Sequence, residues 1–303
     1  MPTKSCSVKR LIPRDLDFFA ALHLHRILNS RQFGALFATS ERNVGTIQER
    51  LLFLAGGVNP YIAEISKPRS SIKEFKLLQR GMNELVKAER FPTQRVRSET
   101  PSEIFRAHDL TTADITVSMA LTIRDFYEPA TMIDPHSIYS RSELDPKKAN
   151  HGWRVDVAHP EYGRKDDLFV RPDQMVGFHF TRRPHGKNQR FFCIETNMGK
   201  MDYVLPLYER SVFRKLIAAE RTFVEQILFE RYGIAHPYFL FFFPTEKKRD
   251  TAIELAKDVV HDKNVAQAIL FATFPTPPTH KMYTSMLDQK WFNAKGEQAC
   301  LPM

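Results

Sequence analysis

The stretch DLFVRPDQMVGFHF (residues 167–180) is apolar enough for a buried strand, yet it carries Asp173 behind an Arg-Pro pair. Proline offers no N–H to a central ladder, and an isolated buried carboxylate is costly. Pro172 therefore predicts a bend or a sheet edge. Asp173 predicts a neighbour that offsets its charge. The next apolar segment, RFFCIET (190–196), follows a polar connection rich in turn residues, TRRPHGKNQ (181–189), so the two segments read as a hairpin. Glu195 near the end of the second strand then comes close to Asp173 on the first. One divalent cation would satisfy both acids. Mg2+ prefers hard oxygen ligands and usually keeps several waters, and its charge would offset the desolvation of the carboxylates.

Further apolar segments lie on either side of this hairpin: WRVDVAH (153–159), HPYFLFFFP (236–244) and AQAILFAT (266–273). FLFFF (239–243) suits a strand buried on both faces. Helical spacing fills SVFRKLIAAERTFVEQILFERYG (211–233) and TAIELAKDVVHD (251–262). A hairpin followed by strand–helix–strand predicts a mixed α/β sheet with helices on both faces. Upstream, EIFRAHDLTTADITVSMALTIRDFY (103–127) reads as a capped amphipathic helix from Thr111, and 130–152 as an irregular excursion. The segment from 274 opens with prolines and is poor in apolar residues. It reads as a tail that docks through Trp291 or stays mobile.

The N-terminal third has a different character. IPRDLDFFAALHLHRIL (12–28) places proline and two acids where a helix begins. SRQFGALFA (30–38) and SERNVGTIQERLLFLAGG (40–57) each start on a serine cap, and the latter stops at a Gly pair. YIAEI (61–65), KPRSS (67–71) and IKEFKLL (72–78) read as strand, turn and strand, and QRGMNELVKAE (79–89) as a closing helix. His23 and His25 are two apart on a helix and face different ways, which suits core histidines better than a metal site. Three short helices, a basic-tipped hairpin and a closing helix predict a winged helix-turn-helix. Its third helix would enter a major groove with Arg42, Asn43, Thr46 and Arg50, and Lys67, Arg69 and Lys73 on the wing would meet phosphate. The charge agrees: of the net +9, residues 1–100 hold seventeen Lys/Arg against nine Asp/Glu. The expected organisation is a DNA-binding domain over 1–92, a polar, proline-containing linker over 93–102, an α/β domain over 103–273 and a tail over 274–303.

Other chemistries find no signature. Three scattered cysteines give neither a disulfide framework nor a zinc site, and His159, His179, His185 and Cys193 fit no zinc spacing. No Gly-x-Ser-x-Gly elbow, Walker loop or dinucleotide fingerprint occurs. The apolar runs are too short to span a bilayer, and MPTKSCSVKR lacks the apolar stretch of a secretory signal. A cytoplasmic protein with no membrane partner is expected.

Pro172-Asp173 and Glu195-Thr196-Asn197, on successive strands, resemble the PD-(D/E)xK nuclease superfamily, which has a restriction-endonuclease-like fold. Asn197 occupies the position of that motif's lysine, which leaves Lys200 or Lys215 to supply the cation. A longer resemblance runs from 11 to 273. LIPRDLDFFAALHLHRIL, AHDLTTADITVSMAL, RPDQMVGF and FFCIETNMGKM follow the order seen in the bacterial replication-relaxation family. That family looks like a winged helix fused to a restriction-endonuclease-like domain, and is associated with plasmids, mobile elements and relaxases. His108-Asp109-Leu110 matches its His-x-Leu block, and Asp173 and Glu195 match its two acidic strand ends. The family typically shows Glu-x-Asp where this chain has Asn197.

The resemblance implies DNA handling at an origin of replication or transfer. Asp173 and Glu195 would hold Mg2+ for a nickase, with Lys200 or Lys215 stabilising the transition state and His108 or Asp109 assisting as acid–base or supporting groups. Tyr203 and Tyr208 are the alternative, as attacking groups of a relaxase. Expected partners are double-stranded DNA, single-stranded DNA at a nick, and a second copy of the chain or other transfer and replication proteins. The competing reading is a DNA-binding regulator of replication or transfer on a degenerate nuclease fold. A plain structural adaptor would instead pair the acids with Arg171 or Arg190.

Overall fold

A computed structural model describes residues 10–67, 69–91, 96, 102–126, 130–133, 138, 155–157, 168–170, 172–199 and 212–302. The chain divides into two compact units. One runs through Ala113 and adds Pro278–Met282; the other holds Asp114–Pro277 and Tyr283–Met303. The division falls inside a helix, not in the polar stretch 93–102.

The first unit opens with helix α1 (Pro13–His25), strand β1 (Ile27–Asn29), and helices α2 (Ser30–Phe37) and α3 (Glu41–Ala55). Strands β2 (Ile62–Glu64) and β3 (Glu74–Leu77) and helix α4 (Gln79–Lys87) follow. The strands form an antiparallel sheet in the order β1-β3-β2. Strand β1 was not expected, because three residues between two helices carry no readable alternation. Asn29, not Ser30, caps α2: its side chain accepts from the N–H of Arg31 and Gln32, while Gln32 accepts from Asn29 N–H. Phe18, Phe33 and Phe75 are fully buried and meet edge to face, so this small unit gains aromatic packing beyond area burial.

Helix α5 (Glu103–Phe126) begins two turns before the expected Thr111. Its early turns lack an apolar stripe and are tied instead by polar contacts. Arg106 reaches Glu74 at 3.2 Å and donates to Ile65 O at 2.9 Å.

The second unit is built on a seven-stranded mixed sheet. Its strands are β4 (Ala130–Ile133), β7 (Gln174–Phe180), β8 (Gln189–Thr196), β9 (Tyr238–Phe243), β10 (Ile269–Thr273), β11 (Trp291–Asn293) and β12 (Gln298–Ala299). Their order is β12-β11-β10-β9-β8-β7-β4, with β8, β9 and β10 parallel and the other pairs antiparallel. Strands β5 (Val155–Val157) and β6 (Leu168–Val170) pair separately as two strands, so the stretch 167–180 is two strands, not one. The break falls where Pro172 removes a donor.

Alternation along β8 and β9 sends side chains to two cores. Phe191, Cys193, Phe239 and Phe241 pack with helices α6 (Val212–Val224), α7 (Ile227–Tyr232), α8 (Glu246–Val259) and α9 (Lys263–Ala268). Phe192, Ile194, Leu240 and Phe242 pack with Ile115, Met119 and Ile123 of α5. Helices thus cover both faces, and the apolar run of β9 follows from that. The long helix expected over 211–233 breaks at Gln226, whose φ of 51° is left-handed. Helix α8 starts five residues before the expected Thr251, because Thr245 caps it ahead of a charged first turn that hides its periodicity. The segment after 273 docks through Trp291, the first of the two expected outcomes: Trp291 is buried against Phe242, and the segment also supplies β11 and β12. Among the described residues no helix is long and apolar enough to cross a membrane.

Candidate functional site

Pro172 has no N–H, so the ladder between β7 and β8 ends there. Asp173 closes it. Its N–H donates to Ile194 O at 2.9 Å, and its Oδ2 accepts from Thr196 N–H at 2.7 Å. The half-buried carboxylate thus takes the Thr196 N–H in a charge-assisted bond at the point where the ladder ends. No metal is needed to explain its place in an apolar segment.

Glu195 has the same parity on β8 as Phe191 and Cys193, so it faces the layer of α6. There Lys215, one turn into that helix, forms an ion pair with it. Glu195 is only 5% exposed. Taking both charges out of water is costly, and their contact offsets that cost. Cys193 lies one step inward; burial, and then the charge of Glu195, push its thiol far above the ordinary range, so it is no nucleophile. Cys193, Glu195, Lys215, Ala219, Phe239 and Phe241 line a space of about 10 Å3, enough for about one water or one small ion.

The antiparallel register, Gln174 opposite Ile194, sets Asp173 beside Glu195 at the same end of the hairpin. A pair of carboxylates suits Mg2+, which protein sites hold through one or two carboxylates with water and phosphate oxygens completing the shell. Among the described residues no group of three or more His, Cys, Asp or Glu side chains gathers as a metal site. Asp173 and Glu195 are the two carboxylates at this strand end that would hold such an ion.

Asn197, where the nuclease motif has lysine, is 4% exposed. Its N–H continues the parallel ladder to Phe242 O, and its Oδ1 accepts from Gly199 N–H at 2.8 Å. Asn197 shapes the exit turn from β8. Gly199 sits there at φ 77°, and its carbonyl accepts from Lys248 at 2.7 Å. Lys248 brings a second ammonium to this strand end. The sequence held no signal for it, since it belongs to the charged first turns of α8 hidden from periodicity.

His108 and Asp109 belong to the first unit and not to the one that holds Asp173, Glu195 and Lys215. There Asp109 Oδ1 lies 3.7 Å from His108 Nδ1 and 3.9 Å from Arg26. Arg190 donates to Gln189 O and Lys187 O at the far end of the hairpin. Lys200, Tyr203, Tyr208 and Arg171 lie outside the described residues.

Among the groups expected to touch DNA, Arg42 and Thr46 are exposed on α3, and Asn43 donates to Thr39 Oγ1. Arg50 needs correction. It donates to both carboxylate oxygens of Asp15, at 2.9 and 2.6 Å, and to Arg10 O. Asp15 is fully buried, so Arg50 is a structural counter-ion. Lys73 pairs with Glu64 at 2.8 Å, and Lys67 with Glu103, which neutralises part of the expected wing. Arg69 is exposed at a left-handed φ of 63°.

Comparison of the chain with protein-family models, curated proteins and solved structures finds no match in any of the three.

Proposed function

We propose that this is a DNA-binding protein whose second unit carries a metal-dependent strand-nicking site, in keeping with the plasmid replication or mobilisation role that the sequence resemblance implies. The observation that carries the reading is the contact between Lys215 of α6 and Glu195 of β8, with Asp173 across the hairpin. On this reading the three would serve as the acid, acid and lysine of a PD-(D/E)xK site, with a helix lysine in place of the one the motif has at Asn197. Asp173 and Glu195 would hold Mg2+, which when bound supplies positive charge at a phosphodiester. The ammonium of Lys215 would lie beside that point and stabilise developing negative charge. The order α1-β1-α2-α3-β2-β3 supports a winged-helix reading of the first unit, in which exposed Arg42, Thr46 and Arg69 would face DNA. The apolar floor of Cys193, Phe239 and Phe241 keeps bulk water from the pair.

The test is nicking of supercoiled plasmid with and without Mg2+, comparing wild type with Asp173→Ala, Glu195→Gln and Lys215→Met. Each substitution should slow nicking by about a hundredfold or more. Equal rates in all four proteins would remove the catalytic reading. A second reading has its own observation: Glu195 is almost wholly buried and already paired. On that reading the pair only stabilises the sheet, and the protein is a non-enzymatic regulator that binds DNA without metal dependence.

A further inference from the structure

The hairpin that joins β7 to β8 carries cations and no acids. From Gln174 to Ile194 the sequence contains Arg182, Arg183, Lys187 and Arg190, with His179 and His185, and no Asp or Glu. Arg182, His185 and Lys187 are exposed at its tip. The tip is ordered by its own backbone: Phe180 N–H donates to Asn188 O at 2.8 Å, Arg183 N–H to Phe180 O at 3.2 Å and Lys187 N–H to Pro184 O at 3.0 Å. Arg183 lies over the Phe180 ring at 3.9 Å, and Gly186 takes a φ of 83°. A rigid loop of like charges repels itself, and a polyanion relieves that repulsion with little ordering cost.

We propose that this hairpin tip is a second phosphate-binding element that grips the nucleic-acid backbone. The proposal rests on the DNA-binding reading above and adds a contact from the second unit. Strand β7 separates the tip from Asp173 by seven residues, about 23 Å at roughly 3.3 Å per residue. At about 3.4 Å per base pair, the tip reaches phosphates about seven base pairs from the Asp173–Glu195 end. Nucleic acid is favoured over an acidic membrane because the tip offers no Trp, Phe or Leu to insert: its exposed residues are Thr181, Arg182, Pro184, His185, Gly186 and Lys187.

The experiment uses full-length protein and a duplex of about 40 base pairs, with the affinity followed from about 50 to 200 mM salt. Wild type is compared with Arg182→Ala/Lys187→Ala and, separately, with Arg42→Ala in the first unit. Both hairpin residues are exposed, so the melting temperature should not change. The hairpin variant should lose tenfold or more in affinity at low salt, and its log–log salt slope should fall by about 1.8, or 0.9 per phosphate contact. An unchanged slope in a protein that still binds DNA, with Arg42→Ala weakened, would overturn the hairpin proposal and leave the DNA-binding reading standing. No duplex binding by wild type would overturn both, as would hairpin-dependent binding to anionic vesicles alone.

Discussion

Arg50 is the residue whose role the folded chain changes most. On α3 its spacing places it among groups that would meet a major groove, but its guanidinium instead closes on buried Asp15. Removing it leaves an unpaired buried carboxylate, so Arg50→Ala should lower the unfolding free energy by about 3–5 kcal/mol, read from urea midpoints. Unchanged stability with weakened DNA binding would return Arg50 to the interface. His25 is also buried, and burial lowers its pKa to about 4 from an unfolded value of 6.5. The folded state disfavours the proton. The stability due to this depression is fully present above pH 6.5 and is lost as pH falls from 6.5 to 4. The loss is about 3 kcal/mol, at 1.36 kcal/mol per unit. Urea titrations across that range should show it, and His25→Leu should flatten it. At this scale the sequence offered candidate side chains for chemistry, Lys215 among them. It did not show that Lys215 reaches Glu195 or that Arg50 reaches Asp15, because each contact joins different elements.

Elements with a continuous apolar stripe, such as α3 and β9, were legible because their spacing reports the face they bury. Those whose ends are set by polar or backbone contacts were not. Helix α5 begins at residues tied to Glu74 and Ile65, and α8 begins on a Thr245 cap inside a charged run. Helix α4 shows a constraint of the opposite kind. A Cβ on Gly81 would sit 2.6 Å from Tyr61 O, which already accepts from Leu78 N–H at 3.1 Å. Gly81→Ala gains about 1 kcal/mol of helix propensity but pushes against a backbone atom held by its own hydrogen bond. Thermal melting should show net destabilisation. A higher melting temperature would mean that the helix can step back from the sheet.

On the scale of the whole molecule, the segment after Thr273 completes the sheet. A chain ending there loses β11 and β12 and exposes the edge of β10 along with the Phe242 surface that Trp291 covers. An open apolar edge strand templates aggregation. That truncation should elute as aggregate in size-exclusion chromatography, and a folded monomer would show that the sheet stands without its last strands. The sequence by itself determined the local periods: short helices and strands in a basic first third, then an apolar hairpin ending in two acids. It did so because hydrophobic spacing is a property of neighbouring residues. Only the tertiary structure decided that the strand ahead of Pro172 pairs apart from the main sheet, that Asp173 caps a ladder, that a helix lysine meets Glu195 and that the final residues join the sheet. Those outcomes depend on partners far apart in the chain, whose meeting is set by how buried charges and open strand edges are satisfied.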